Sequence, residues 1–331
     1  VTGFEPDAFL RALTFQAGYN TTLVTIGSAL LGANAGAIGT FVTLRRRALV
    51  TDAISHATLP GLVAAFIVMA LGSGEGRFLP GLMLGAVISA GLGLFVVDWI
   101  SRRTRLDEDV AIGAVLSAFF GAGVVLLTVV QTLSSGGQAG LSSFLLGATA
   151  GMTQAEGTTI AVCAVLTGLA ILALRRPFTL VCFDPTFASA TGLNVRRTDL
   201  TMSMLLLAVI VIGLQVAGLV LVVALAILPP VAARFWTDRV GRMTALAAAI
   251  GAISGHVGAS LSAAGPALPT GPLIVLMGAA IFAISLLFGP ARGIVGTALR
   301  RRRAHPAKDL ATTQEVAPIN KVVSINGVDR G

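Results

Sequence analysis

The sequence predicts an all-α, polytopic membrane helical bundle of about eight or nine crossings, with the N-terminus outside and the C-terminus cytoplasmic. Three observations carry this. Of 331 residues, 55% are hydrophobic and only 11% charged, and the mean hydropathy is +0.89. A soluble domain carries roughly 25% charged residues, because water must wet its surface. The apolar runs are continuous and near the ~20 residues that a crossing helix needs, whereas barrel strands would alternate over about ten positions. Finally, 39 glycines beside 6% aromatics is the composition of helices that pack closely through small residues.

Taken in order, the first run is Phe15–Leu44, closed by Arg45-Arg46-Arg47. Ala48–Leu71 and Leu79–Ile100 follow, the latter closed by Arg102, Arg103 and Arg105. Val110–Leu133 is the fourth. Residues 139–152 are apolar but too short to cross, and they suit an interfacial or re-entrant helix on the outer face. Gly157–Leu174 is the fifth run, and Arg175-Arg176-Pro177 after it opens a loop expected over 175–199. The sixth, Leu200–Pro229, is expected to break between Gly213 and Gly218. As one crossing it would leave Arg234, Arg239 and Arg242 outside. Met243–Ala264 and Pro272–Phe288 complete the set. The chain therefore divides into an N-terminal segment (1–14), a membrane domain (15–290) and a basic tail (291–331). From about Arg300 the tail loses periodicity and is expected to be disordered.

The formal charge of +8 and the isoelectric point near 11.1 would suit nucleic acid, but the distribution argues against it. With the end of the first run inside, every lysine and arginine except Arg11 and Arg77 falls on the cytoplasmic side. That is the positive-inside pattern of membrane orientation. Cys163 and Cys182 have no disulfide-framework spacing. Val1–Arg11 lacks a basic region followed by an apolar core, so no cleavable signal peptide is expected there.

Asp52 and His56 carry the chemistry. Both fall in the second crossing, and their i, i+4 spacing puts them on one helix face. An Asp within a crossing costs about 2.5–3.5 kcal/mol on the insertion scale and needs a compensating role. One reading is a hydrogen-bonded pair tying two helices together. The other is a metal or proton site, since carboxylate with imidazole suits Zn²⁺, Mn²⁺ or Fe²⁺. Helical rise, ~1.5 Å per residue, puts Asp52 near the cytoplasmic end of its helix. His256, between glycines in the Met243–Ala264 run, is a weaker ligand candidate that also reads as a packing residue. His305 lies in the basic tail and is expected to be solvated, and Glu156 reads as a rim carboxylate or partner contact.

A phosphate-binding P-loop requires Gly-x-x-x-x-Gly-Lys-Ser/Thr. The only lysines are Lys308 and Lys321, and neither has that context. The chain is not expected to be an enzyme, and any ATP that drives it must be hydrolysed on another polypeptide.

Four segments resemble the permease subunits of zinc, manganese and iron ABC importers. Residues 44–61, Leu-Arg-Arg-Arg-Ala-Leu-Val-Thr-Asp-Ala-Ile-Ser-His-Ala-Thr-Leu-Pro-Gly, resemble that family's signature. Residues 184–193, Asp-Pro-Thr-Phe-Ala-Ser-Ala-Thr-Gly-Leu, resemble its cytoplasmic segment before the sixth crossing. Residues 216–234 resemble the stretch leading into its ATPase contact, and 268–275, Leu-Pro-Thr-Gly-Pro-Leu-Ile-Val, its turn into the last crossing. The resemblance implies import of Zn²⁺ or Mn²⁺, with Fe²⁺ a third candidate, and no permanently bound cofactor. It implies a second permease copy or paralogue, a cytoplasmic ATPase that holds ATP, and an extracytoplasmic metal-binding protein. Asp52 and His56 then match an intramembrane metal-coordinating pair. Pro230, Arg234, Asp238, Arg239 and Arg242 are expected in a short helix that docks on the ATPase, with Pro229 and Pro230 ending the preceding pass. Two other functions fit the residues alone: a secondary transporter that relays protons through Asp52 and His56, and a non-transporting membrane scaffold.

Overall fold

The computed structural model describes residues 5–73, 79–132, 153–265 and 268–296. Among them every regular element is a helix: α1 Pro6–Leu13, α2 Tyr19–Leu44, α3 Ala48–Ser73, α4 Leu79–Arg103, α5 Glu108–Thr132 and α6 Gln154–Phe183, then α7 Pro185–Ala190, α8 Val195–Ala217, α9 Leu219–Arg234, α10 Val240–Ser262 and α11 Thr270–Phe288. Eight of these are long and apolar enough to cross a membrane, α9 being a shorter apolar helix. The expected re-entrant helix at 139–152, His305 and the tail from Arg300 lie outside the described residues.

The centre of the bundle is α2, which packs on α10, α9, α6 and α8. It runs antiparallel to α10, with Gly32 against Gly251 and Gly36 against Ala247. A Cβ on either Gly32 or Gly251 would run into the other's carbonyl oxygen. Backbone approach of this kind is what small residues allow where lipid gives helices no hydrophobic drive to associate. A second group joins α3 to α4 and α5, and both groups share one core.

The sixth run does break where expected. Gly218 has φ +76°, which L side chains rarely adopt, and it separates α8 from α9. At ~1.5 Å per residue, the 16 residues of α9 fall short of the ~30 Å hydrocarbon core. This helix packs against α2, α8, α10 and α11.

Two expectations about helix ends need correction. The fifth pass does not stop at Leu174, because α6 continues through Arg175, Arg176 and Pro177 to Phe183. Phe178 and Val181 are fully buried beyond the proline, and Phe178 meets Phe41 edge-on at 5.3 Å. Packing thus holds a turn that a polar Arg-Arg-Pro signal alone would end. Likewise Pro229 and Pro230 lie inside α9, which ends at Arg234, so 230–242 holds no separate short helix. Pro230 to Arg234 are the last turn of α9, and Val240 already begins α10.

Following the helices end to end, one end of the bundle gathers the arginines. Arg45–Asp199, Arg47–Glu108, Arg196–Asp98 and Arg292–Asp238 ion pairs cross between elements there. At the opposite end Glu5 donates its N–H to the Ala264 carbonyl at 3.0 Å, tying α1 beside the end of α10.

Candidate metal site and its surroundings

Helix α3 starts from a tight turn. Arg46 has φ +61°, and the Arg47 N–H returns to the Val42 carbonyl at 3.0 Å. Asp199, in α8, fixes this turn. Arg45 donates Nε to Asp199 Oδ1 at 3.0 Å and a terminal nitrogen to Oδ2 at 2.9 Å. Arg47 lies 3.6 Å from the same carboxylate and 2.9 Å from Glu108. The hydrogen bonds from Arg45 to Asp199 raise the guanidinium pKa further, against the opposing effect of partial burial.

Just beyond this turn, Asp52 Oδ1 and His56 Nε2 stand 3.4 Å apart on adjacent turns of α3. The Asp52 side chain is 41% exposed and that of His56 23%. The buried Nδ1 of His56 has no hydrogen-bond partner among the described residues. The imidazole meets Phe120 of α5 edge-on at 4.8 Å. On the buried side of α3, Ser55 and Thr58 donate to the carbonyls of Thr51 and Ser55 at 2.8 and 2.6 Å. Asp52 and His56 are only partly exposed beside this satisfied core. Phe120 belongs to an exposed face of α5 that also carries Gly113, Ser117, Gly121 and Val124. Chemically, the chain offers a part-exposed carboxylate beside a mostly covered imidazole whose Nδ1 is buried. No group of three or more His, Cys, Asp or Glu forms among the described residues.

His256 is not brought to this pair. Its Nε2 lies 3.2 Å from the Leu13 carbonyl, and its ring lies 4.9 Å from that of Phe15. It latches the turn after α1 onto α10. Glu156 completes a capping box with Thr153, accepting from the Thr153 N–H at 2.7 Å.

The expected ATPase-contact residues lie on and around the turn between α9 and α10. Pro230 is buried, while Arg234 ends α9 and Arg239 precedes α10, whose first turn holds Arg242. Asp238 pairs with Arg292 at 2.9 Å. Trp236 Nε1 donates to Ser285 Oγ at 2.9 Å, and the Ala291 N–H to the Phe235 carbonyl at 3.0 Å, so α11 pins this turn. At the same end, sequence reasoning matched residues 184–193 to a cytoplasmic segment but did not read the helix α7 within it. Asp184 caps it by accepting from the Phe187 N–H at 2.8 Å, and Pro185 opens it. Asp-Pro is a legible helix-start signal. Phe183 before α7 and Phe187 within it stand exposed.

Residues 19–289 match the model of the ABC 3 transport family. A manganese transport system membrane protein, MntC, of Bacillus subtilis is 37% identical over 93% of this chain and 71% of its own length. A zinc transport system membrane protein, TroC, of Treponema pallidum is 39% identical over 86% of this chain and 94% of its own. Among solved structures, PsaBC from Streptococcus pneumoniae in complex with Fab superposes with a TM-score of 0.73. That match has 27% identity and covers 86% of this chain and 97% of the other. Helices in this order and matches of this extent have one consequence: the chain belongs to the ABC 3 transport family.

Proposed function

We propose that this chain is the membrane permease subunit of an ATP-driven importer of Zn²⁺ or Mn²⁺, with Fe²⁺ the third candidate, and that Asp52 and His56 hold the ion in transit. The single observation that carries this is their geometry. A carboxylate and an imidazole share one face of α3, half open, with the His56 Nδ1 unengaged among the described residues.

A divalent ion that leaves water must have its charge balanced and its lost ligands replaced. One protomer supplies too few donors for the tetrahedral set that Zn²⁺ prefers. A second permease facing the first across the exposed α3–α5 surface would add another carboxylate and imidazole, balancing the dication. Gly113, Ser117 and Gly121 on α5 suit close approach of another helix. The relatives' names, manganese transport and zinc transport, support this cargo class.

The basic end faces the cytoplasm in this reading, by the positive-inside rule. There the separate ATPase meets α7 and the α9–α10 turn, where Phe187, Trp236 and Arg239 are exposed. Arg234, Asp238 and Arg242 flank that contact, and Pro230 stiffens the helix behind it. An extracytoplasmic metal-binding protein delivers the ion at the opposite end. Thr104→Cys and Thr191→Cys should both resist an impermeant maleimide in intact cells and react after permeabilisation. Reaction of either from outside would invert the orientation.

The functional reading is tested in vesicles that hold the permease with its ATPase. Labelled Mn²⁺ or Zn²⁺ should accumulate only with ATP, and unlabelled competitors should rank the cations. Uptake driven by a proton gradient without ATP would replace this reading with a secondary transporter, and no uptake by any route would leave a scaffold.

A further inference from the structure

Helices α6 and α10 both pack on α2 and leave a cleft of about 1120 Å³ between them. This is larger than most small-molecule sites, ~300–1,000 Å³. Its floor is Ala33, Ala37 and Phe41, and Ala245 and Ala248 line the α10 wall. The polar group in the floor is already satisfied: Thr167 donates to Asn34 Oδ1 at 2.7 Å, and Asn34 Nδ2 to the Leu30 carbonyl at 2.9 Å.

Arg175 and Arg176 line the same cleft. Neither guanidinium has an acidic partner among the described residues, whereas Asp98, Glu108, Asp199 and Asp238 at this end are each paired with another arginine. By helical rise Arg175 lies ~12 Å before the end of α6. Phe178, one turn further on, packs on Phe41, and α2 reaches Arg45 only a turn beyond that. The two arginines thus start inside the level of the other basic residues, where long side chains reach outward to the headgroup layer. Two unpaired cations at the mouth of a lipid-depth apolar cleft call for an anion that carries its own apolar body.

We propose that the α6–α10 cleft binds an anionic phospholipid, its acyl chains along the Ala-lined floor and its phosphate on Arg175 and Arg176. Basic pockets between membrane helices recognise lipid headgroups in this way. The occupant would also bridge α6, which leads directly into α7, to α10.

The test uses the full chain in nanodiscs of phosphatidylcholine with graded phosphatidylglycerol, and spin-labelled versions of both lipids to read the protein-bound fraction. The wild type should retain phosphatidylglycerol several-fold over phosphatidylcholine. The R175Q/R176Q protein should lose that preference, R175K/R176K should keep most of it, and R103Q/R105Q, which removes exposed arginines away from the cleft, should leave it intact. Ala245→Trp should lower the bound fraction by filling the cleft, without altering helicity. Equal retention of the two lipids by the wild type would overturn the proposal. So would full displacement by inorganic phosphate, which marks a free-anion site. A preference that emerges only when residues 297–331 are deleted would assign the cleft to this chain's own tail.

Discussion

Metal uptake by vesicles that hold the Asp52→Asn permease and its ATPase should fall by roughly 100-fold or more, at unchanged yield of assembled complex. Loss of outer-sphere partners alone lowers metal affinity or activity by about 10–100-fold, and a direct ligand sits at or above the top of that range. Asparagine keeps the size and polarity of the side chain, and at 3.4 Å from His56 it retains a polar neighbour. What it removes is charge: two opposed protomers would go from two negative charges to none around a dication. His56→Ala should be as severe, since it deletes the imidazole and leaves Phe120 facing a void. Asp52→Glu should rescue only in part, because its longer arm changes ligand distances that matter at about the 0.2 Å level. A structural pair gives the opposite pattern, in which Asp52→Asn retains uptake per complex and lowers yield. Near-normal uptake by Asp52→Asn, normalised to complex, would end the coordination reading.

The parts of this molecule legible in its sequence are those set by short-range chemistry. Apolar runs located the crossings, and the break at Gly218 followed from charge bookkeeping across Leu200–Pro229, with a positive-φ glycine as its physical cause. The i, i+4 spacing of Asp52 and His56 by itself puts them on one helix face. Illegible were the features that packing decides. Arg175-Arg176-Pro177 and Pro229-Pro230 are local stop signals, yet both sit inside helices whose buried neighbours outweigh them. The contact of His256 was hidden because the Leu13 carbonyl lies 243 positions away in the chain. The same distance effect hid Asp199, whose guanidinium partner is 154 positions earlier.

Asp199→Ala should destabilise the permease by about 3 kcal/mol, the low end of the 3–5 kcal/mol lost when one partner of a buried ion pair is removed. The low end applies because the Arg45 side chain remains 20% exposed and water can reach part of the orphaned charge, whereas that of Asp199 is only 10% exposed. The carboxylate accepts both Arg45 bonds and lies near Arg47, so its loss leaves the Arg45 guanidinium without its counter-charge, while Arg47 keeps Glu108. Asp199→Asn should cost roughly half as much, since its amide oxygen still accepts one of these bonds. Replacing both partners, Arg45→Met with Asp199→Leu, should recover most of the loss, as apolar substitutes for buried pairs often do. Denaturant-induced unfolding of the purified protein, followed by tryptophan fluorescence, measures all three against the wild type. A change below ~0.5 kcal/mol for Asp199→Ala, the scale of an ordinary surface substitution, would show that the pair does not hold the turn. A large single-site loss with strong coupling to Arg45 has a further consequence for function. The Arg45–Arg47 turn sets where α3 begins, and Asp52 sits one turn beyond it. In the Asp199→Ala protein, uptake per folded complex should therefore fall as well, while Asp199→Asn should keep most of it.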